Sequence, residues 1–387
     1  MCANDVDMML QVSICFNSFS RYLVKSMGEI MVEKIPGSIQ AWQMVSPSSP
    51  LELKDYPVPE IGPADALIKI AGCGLCHTDL GFLYGGVKTR RAPPLTLGHE
   101  ISGRVVAAGD TFKNLVGKDV VVPAVIPCGK CDLCRSNRGN ACRKQLMPGN
   151  DFHGGFASHV HLPGRFLCVV DDLRGFDLAE LSVIADAVTT PYMAIRRAEV
   201  KAGDLCIVVG VGGVGGYAVQ ISSTYGAKVI ALDIDAQKLE KLKSYGADYS
   251  INTKDKDVRA VQTEVRDLIK KEGLPPYGWK VLETSGTGIC QEIAYSLLSY
   301  AGSLIVVGFA MDKVSIRLSN LMAFDASAIG TWGCIPEYYH EAVELALTGR
   351  IKVRPFSSRY PMGRINEVIT QAREHKLETR AILEPDF

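Results

Sequence analysis

The sequence lacks an excess of charge of either sign, since lysine plus arginine and aspartate plus glutamate both number 42. This balance gives no general reason to expect a nucleic acid or an anionic membrane surface as a partner. Apolar runs are also short, and none reaches the roughly 18 residues that a transmembrane helix needs. We therefore expect neither a nucleic-acid-binding protein nor a membrane protein.

A secretory signal is also missing. Asp5 and Asp7 stand where a signal peptide needs positive charge, and the apolar stretch 12–16 is short and interrupted. We expect residues 1–27 to form a loosely ordered extension, with Met27 as a candidate start codon, and the protein to be cytoplasmic. Because nothing points to export, the 12 cysteines favour metal or catalytic roles over disulfides.

A glycine-rich turn follows the apolar run 205–209, which is typical of a buried parallel strand. A helix and a second apolar run come next, and the second run ends at Asp233. This order is the fingerprint of a dinucleotide-binding unit, in which the turn approaches a pyrophosphate and the acid can accept hydrogen bonds from a ribose. A purely structural turn is the alternative. The cofactor-binding candidates in the turn are Gly210, Gly212, Gly213, Val214 and Gly215.

The cofactor preference is indicated by the residues that follow Asp233. Ile234 and Asp235 come next, with no arginine or lysine to hold a 2′-phosphate. NAD is therefore favoured over NADP.

The rest of the chain shows two different sequence patterns. A length of 387 residues also favours two domains. Short β-rich runs punctuated by glycine and proline occupy 39–162, whereas helical patterns alternate with apolar strands from residue 177. The second pattern predicts a doubly wound parallel sheet and an α/β fold class. The predicted boundaries are 1–27 for the extension, 28–190 for a β-rich catalytic domain, 191–330 for the NAD-binding domain and 331–387 for a return to the catalytic domain.

Four cysteines form the pattern C-x2-C-x2-C-x7-C within one polar loop. Four thiolates so close in sequence can surround one Zn²⁺ and leave no open position, which predicts a structural zinc site. An iron–sulfur cluster uses similar ligands and is the rival interpretation. A zinc ribbon that binds nucleic acid is disfavoured by the balanced charge and the glycine turn. The four ligands are Cys128, Cys131, Cys134 and Cys142.

A second set of candidate metal ligands is dispersed. Cys76 and His99 lie 23 positions apart and Asp186 lies much later. Taken alone, such a cysteine and histidine are more often packing residues. Asp186 alone would be interpreted as an acid at a helix N-terminus, facing the helix dipole.

Four segments together resemble the zinc-dependent medium-chain alcohol dehydrogenases, which combine a GroES-like catalytic domain with a Rossmann domain. The segments are GCGLCHTDL (72–80), LGHE (97–100), the four-cysteine lobe and VVGVGGVGG (208–216). The resemblance runs from about residue 39 to the last residues and follows the family's order. It implies a catalytic zinc bound by Cys76, His99 and Asp186, where many members have cysteine at the last position. Glu100 would be a carboxylate able to swing to the metal, and Asp79 would hold the His99 ring.

The resemblance also implies a mechanism in which zinc acts as a Lewis acid on an alcohol and hydride passes to NAD. Thr78 would take the alcohol proton. Family members often continue this relay with a histidine three residues later, and here that position is Gly81. The other implied cofactor contacts are His77 and Arg380 at the phosphates, Val307 and Phe309 under the nicotinamide, and Thr190. A surface histidine and a surface arginine are the alternatives for the first two.

A closer resemblance is to the 6-hydroxycyclohex-1-ene-1-carbonyl-CoA dehydrogenases of anaerobic benzoyl-CoA degradation. It rests on segments 39–45, 93–103, 120–128, 147–150 and 321–334. It implies NAD-dependent oxidation of a cyclic secondary alcohol, carried as a CoA thioester, to the 6-oxo ketone. The basic stretch 86–94, with Arg90 and Arg91, would then clamp the phosphates of CoA. A solvated basic face, on a general primary or secondary alcohol dehydrogenase, is the alternative.

Two other interpretations of the same motifs are disfavoured. A quinone reductase without zinc is disfavoured because both sets of metal ligands are intact. A non-catalytic NAD-binding relative is disfavoured because Cys76, Thr78 and His99 are all present. The family resemblance further implies a homodimer or homotetramer, formed through the edge of the Rossmann sheet near 314–318 and 327–333.

Overall fold

Apolar runs become strands and the longer amphipathic segments become helices in the computed structural model, which describes residues 35–387. The strands are β1 (Ser38–Met44), β2 (Glu52–Pro57), β3 (Asp65–Gly74), β4 (Leu95–Thr96), β5 (Glu100–Ala108), β6 (Asp119–Val122), β7 (His159–Pro163), β8 (Cys168–Val169), β9 (Leu205–Val209), β10 (Lys228–Asp233), β11 (Tyr249–Asn252), β12 (Lys280–Glu283), β13 (Ser303–Val306), β14 (Ser327–Gly330), β15 (Ser357–Pro361) and β16 (Arg380–Glu384).

Helices connect and cover these strands. The α-helices are α1 (His77–Leu83), α2 (Asp132–Arg135), α3 (Thr189–Arg197), α4 (Gly215–Thr224), α5 (Ala236–Leu242), α6 (Val258–Lys271), α7 (Gly288–Ser296), α8 (Ser319–Ala323), α9 (Tyr339–Leu347) and α10 (Ile365–Arg373). The 3₁₀ helices are Asp110–Leu115, Gly139–Ala141, Leu178–Ala185, Lys243–Tyr245, Pro336–Tyr338, Arg354–Phe356 and Met362–Arg364.

The β-rich part is built around a sheet of order β15-β16-β3-β5-β6-β8, in which β7 also pairs with β3. A smaller sheet has the order β2-β1-β4. The strands β3 and β5 are antiparallel, and Gly74 at the end of β3 is paired with Glu100 at the start of β5. This register brings the segment that follows β3 next to the segment that precedes β5, so Cys76 and His99 become neighbours.

The second part is a parallel sheet of order β11-β10-β9-β12-β13-β14. Every residue of β9 is buried, as expected for a central strand covered on both faces. The chain leaves β9 for β10 on one side and later returns to β12 on the other, so the end of β9 is the switch point where such sheets bind ligands. The predicted α/β class with a doubly wound parallel sheet is confirmed.

A shared hydrophobic core joins the two sheets. It contains Ile184 from the 3₁₀ segment Leu178–Ala185, Tyr192 from α3, Val208 from β9 and Tyr339 from α9. Residues Pro36–Phe387 accordingly form one compact unit. The boundaries at 190 and 330 stay predictions, and the extension at 1–27 lies outside the described residues.

Within residues 35–387, no single helix combines the length and apolarity needed to cross a membrane. The bent pair Leu178–Ala185 and Thr189–Arg197 meets that criterion by length and composition only, and most of its side chains are buried inside the protein.

Candidate active site

Asp79 organises the first half of the candidate metal site. Its Oδ2 accepts a hydrogen bond from the backbone N–H of Cys76 at 3.0 Å, and its Oδ1 accepts one from the N–H of Gly98 at 3.1 Å. The same Oδ1 lies 3.5 Å from Nδ1 of His99. One buried carboxylate therefore ties together the two segments that carry Cys76 and His99, and it faces the ring nitrogen that points away from Cys76.

Three donor atoms converge in front of Asp79. Asp186 Oδ2 lies 3.7 Å from Cys76 Sγ and 3.7 Å from His99 Nε2. Sulfur, nitrogen and oxygen ligands on one tetrahedral Zn²⁺ are separated by about 3.3 to 3.5 Å, given the usual metal–ligand distances. The two distances from Asp186 Oδ2 thus exceed those of a zinc site by only a few tenths of an ångström. Together with Glu100, all four ligand atoms lie within 4.8 Å of one another.

The protonation of this cluster also suits a metal. Burial would raise the pKa of Asp186, but its hydrogen bond with His99 lowers it to about 2. Burial would lower the pKa of His99, but the carboxylates of Asp79 and Asp186 raise it well above its usual value. Asp186 is therefore an anionic oxygen donor at neutral pH. A divalent metal ion in place of the His99 imidazolium proton would be balanced by the same carboxylates of Asp79 and Asp186.

Asp186 follows the 3₁₀ segment Leu178–Ala185 and precedes α3. No side chain caps the N-terminus of α3, whose N-cap residue is Val188. Asp186 lies two residues before this N-cap, so the interpretation of Asp186 as an acid that faces the helix dipole stays an alternative.

Glu100 is fully buried and its carboxylate is paired with an arginine. The guanidinium of Arg380 donates two hydrogen bonds to the Glu100 carboxylate, one of them from Nε at 3.0 Å. Arg380 is only 7% exposed, and its side chain also lies 4.0 Å from Asp186 Oδ2. A Cβ atom at Gly74 would overlap the Glu100 carboxylate, so glycine is required there. The role of Gly74 was not predicted, although a glycine at a strand end often marks such a close approach.

The four-cysteine lobe places all its sulfurs within reach of one ion. Sγ of Cys131 lies 3.4 Å from that of Cys134 and 3.7 Å from that of Cys142, and Cys128 lies 3.9 Å from Cys134. Four thiolates on one zinc are about 3.8 Å apart, whereas the ligands of a four-iron cluster bind different irons and lie farther apart. The spacing therefore favours a single zinc. The backbone N–H of Lys130 helps to lower the pKa of Cys128 to about 6, which favours the thiolate.

The glycine turn has the backbone that the sequence predicts. Gly210 has φ +85°, which a residue with a side chain rarely adopts, and a Cβ at Gly215 would overlap the carbonyl oxygen of Gly210. Asp233 accepts a hydrogen bond from the N–H of Val211 at 2.7 Å through Oδ2. The acid at the end of β10 is thus held against the turn before any cofactor binds.

A cleft runs between this turn and the catalytic segments. Four predicted cofactor residues line it together with Lys238 and His375, namely His77, Gly212, Gly213 and Arg380. His77 and His375 face each other across it, with ring centroids 6.4 Å apart. Arg380 therefore lines the cleft and also donates hydrogen bonds to the Glu100 carboxylate.

The predicted nicotinamide contacts lie at the carboxyl edge of the parallel sheet. Val307 and Phe309 follow β13, and the Phe309 side chain is 67% exposed. Their loop is fixed by Glu283, whose backbone oxygen accepts the N–H groups of Val307 and Gly308. The Glu283 carboxylate accepts hydrogen bonds from the neighbouring loop after β12. Glu283 was not predicted, because nothing local distinguishes it from an ordinary strand residue.

At Gly81, the position where relatives often carry the relay histidine, hydrogen bonds fix the local backbone. The carbonyl oxygen of Gly81 accepts N–H groups from Gly85 and Val87, and a Cβ at Gly81 would lie 3.7 Å from the Val87 side chain. Thr78 Oγ1 lies 3.6 Å from Cys76 Sγ, beside the metal ligands. A hydroxyl is thus present at the site, and the next group along the chain supplies no side chain for proton transfer.

Comparison with known proteins identifies the family. The chain matches the family models "Alcohol dehydrogenase GroES-like domain" over residues 62–172 and "Zinc-binding dehydrogenase" over residues 213–348. D-arabinose 1-dehydrogenase (NADP(+)) from Saccharolobus solfataricus is 30% identical over 354 residues, which cover 87% of this chain and 95% of that protein. The chain belongs to the zinc-dependent medium-chain alcohol dehydrogenases. The predicted GroES-like and Rossmann architecture of this dehydrogenase is confirmed.

Two further relatives extend the comparison of this dehydrogenase. An alcohol dehydrogenase from Geobacillus stearothermophilus is 29% identical over 336 residues, which cover 86% of this chain and 95% of that protein. The structure of acetophenone reductase from Geotrichum candidum, in complex with NAD, superposes with a TM-score of 0.79 at 26% identity, covering 92% of this chain and 100% of that one.

Both donor sets of this dehydrogenase fit zinc. The lobe offers four thiolates and no open position, as a structural site does, whereas the second cluster offers one sulfur, one nitrogen and one oxygen at ligand spacing. A tetrahedral zinc held by these three donors would keep one position open.

Proposed function

We propose that this chain is a general zinc-dependent dehydrogenase that interconverts an alcohol and its carbonyl compound with NAD. One observation carries the proposal: Asp186 Oδ2 lies 3.7 Å from both Cys76 Sγ and His99 Nε2. This cluster lies next to Arg380, which also lines the cofactor cleft. When bound there, zinc supplies a Lewis acid for the alcohol oxygen, and NAD accepts the hydride.

The side chains around the metal have distinct tasks in this proposal. The Thr78 hydroxyl accepts the proton of the alcohol, and water or a ribose hydroxyl takes it onward because Gly81 has no side chain. The Asp79 carboxylate, 3.5 Å from Nδ1 of His99, would keep the imidazole proton on that nitrogen, which leaves Nε2 as the ligand atom. Arg380 keeps the Glu100 carboxylate paired, so that a fourth protein ligand does not fill the position needed by the substrate.

NAD is the proposed cofactor, although one relative is named as NADP-dependent. The Asp233 carboxylate at the end of β10 is bonded to the backbone of the glycine turn, where it would repel the 2′-phosphate of NADP. Ile234 and Asp235 add no positive charge that could offset this repulsion.

A narrower candidate is the oxidation of 6-hydroxycyclohex-1-ene-1-carbonyl-CoA. The exposed cationic side chains of Lys88, Arg90 and Arg91 before β4 favour it. Arg90, however, donates hydrogen bonds to Asp151 Oδ1 and to the carbonyl oxygen of Gln145, each at 3.1 Å. A CoA phosphate would have to compete with that carboxylate, which is why the general activity is the primary proposal.

A substrate panel tests the two candidates against each other. NADH formation is measured with simple primary and secondary alcohols, with the cyclic ene-alcohol CoA thioester and with its free acid. We expect the simple alcohols to reach kcat/KM values in the ordinary enzyme range of about 10⁴ M⁻¹s⁻¹ or above. Turnover of the thioester alone would refute the general proposal, and the Arg91→Ala variant would then be expected to raise its KM selectively.

We further propose that two copies of the chain pair along β14. This strand forms one edge of the parallel sheet, and no strand covers its other side within residues 35–387. Large apolar side chains next to it are exposed, with Leu318 at 67% and Met322 at 79%. An open edge beside an exposed apolar patch is typical of an interface, and a two-fold axis would pair the same patch on both copies. Of the two stretches expected at this edge, 327–330 forms β14, and 314–318 has no regular secondary structure.

The Met322→Glu variant is expected to shift the protein from dimer or tetramer toward a smaller species, because it would bury two like charges near the axis. Sedimentation velocity over a range of protein concentrations measures this shift. Leu53→Glu is the matched control, since Leu53 is an exposed leucine on β2 of the other sheet. A monomeric wild-type chain, or an unchanged distribution for Met322→Glu, would rule the interface out.

A further inference from the structure

An aspartate differs from a cysteine as a metal ligand because it has two equivalent donor atoms. If both oxygens of Asp186 faced the ion, they would occupy the position that an incoming alcohol needs. The fold must therefore decide which oxygen faces Cys76 and His99. In this structure Oδ2 does so, at 3.7 Å from each of their donor atoms.

The other oxygen of Asp186 has its own partner. Thr190 Oγ1 donates a hydrogen bond of 2.6 Å to Asp186 Oδ1. Thr190 lies one helical turn later in α3, and its backbone N–H also bonds to the Asp186 carbonyl oxygen at 2.8 Å. Thr190 is 8% exposed, so water offers little competition for this hydrogen bond.

The main chain just before Asp186 is held separately. The carbonyl oxygen of Ala185 accepts hydrogen bonds from the hydroxyls of Tyr339 and Thr189, at 2.5 and 2.9 Å. The Tyr339 hydroxyl in turn accepts the N–H of Ala124 at 3.0 Å. With the backbone fixed in this way, the rotation of the Asp186 side chain is the remaining freedom, and Thr190 restrains it.

We infer that Thr190 is a positioning residue that holds Asp186 as a single-oxygen metal ligand and keeps the fourth position of the ion open. The inference rests on the proposed function, because it assumes that Asp186 binds the catalytic zinc. It also gives Thr190, predicted from the sequence as a cofactor contact, a role toward Asp186.

The Thr190→Val variant tests this inference, because valine keeps the shape of threonine and removes the hydroxyl. Zinc affinity of the full chain is measured by competition with a chelator, in which the four-cysteine zinc serves as the internal standard. Loss of a group that orients a ligand typically weakens zinc binding by about tenfold to a hundredfold. For Thr190→Val we expect the zinc affinity of the Cys76 site to fall by about tenfold. For Thr190→Ser, which retains the hydroxyl, we expect that affinity to change by no more than about twofold.

A second measurement reports the geometry of the site. Cobalt substituted at the Cys76 site is expected to change its visible absorption in Thr190→Val and to keep it in Thr190→Ser. The inference would be overturned if Thr190→Val kept the wild-type zinc affinity and cobalt absorption. It would also be overturned if Thr190→Val and Thr190→Ser lost zinc affinity equally. If Thr190→Val fails to fold, as judged by loss of the four-cysteine zinc, Thr190→Ala is compared with Thr190→Ser by the same criteria. A wild-type chain that binds one zinc only would instead refute the proposed function, and the inference with it.

Discussion

Replacing His99 by alanine is expected to lower kcat/KM for alcohol oxidation by about a thousandfold or more, equivalent to about 4 kcal/mol of transition-state stabilisation. His99 supplies the only nitrogen donor in the cluster around Cys76, and alanine offers no donor in its place. With two ligands left, the site should lose its metal and the polarisation that the metal gives to the substrate oxygen. Initial rates of NADH formation measure the loss, and zinc content should fall from two ions per chain to one.

A matched variant separates this effect from the general cost of removing an imidazole. His340 is an exposed histidine on α9, and His340→Ala is expected to keep both zinc ions and the wild-type rate. A His99→Ala enzyme that retained two zinc ions and the wild-type rate would contradict the assignment of the site.

Replacing Cys134 by serine is expected to release the zinc of the four-cysteine lobe and to lower the free energy of unfolding by about 3 kcal/mol or more. The part of the lobe that carries Cys134 has little packing of its own, since the short helix α2 has no buried residue. Bonds to the metal therefore replace the hydrophobic contacts that would otherwise order this loop. Zinc content and the midpoint of urea denaturation, followed by circular dichroism, measure the two effects.

The control for Cys134 is another cysteine of similar exposure. Cys290 is half-buried and belongs to neither of the metal-ligand clusters in residues 35–387. Cys290→Ser should keep both zinc ions and shift the denaturation midpoint little. If Cys134→Ser behaved like this control, the lobe would not be a structural zinc site.

The two candidate metal centres differ in how far the sequence alone could predict them. All four ligands of the lobe fall within residues 128–142, so their spacing limits the geometry and a zinc site follows from chemistry. Cys76 and Asp186 are 110 positions apart. No periodicity or spacing rule relates residues at that separation, and only the family resemblance brought them together.

The contacts that hold the ligands were harder still to predict. Glu100 and Arg380 are 280 positions apart, and Tyr339 bonds to Ala185 across 154. Each pair depends on the register of strands and the packing of helices in three dimensions. The hydrogen bond from Thr190 to Asp186 joins residues only one helical turn apart. Its role could not be predicted from this spacing, because that role depends on Asp186 being a metal ligand. The glycine turn was predictable because its backbone geometry is encoded within a few residues.

The position of β16 has a consequence for how the protein is made. This strand is formed by residues 380–384, and it pairs with β3 at Cys73 and Gly74 while its Arg380 reaches Glu100. A chain emerging from the ribosome can fold the stretch 128–142 early, because its ligands are close in sequence. The sheet that carries Cys76 stays open on one side until the last strand has emerged, and domains made first generally fold first. The structural metal can therefore be acquired before residues 380–384 have been made, whereas the catalytic centre is completed only after those residues have emerged.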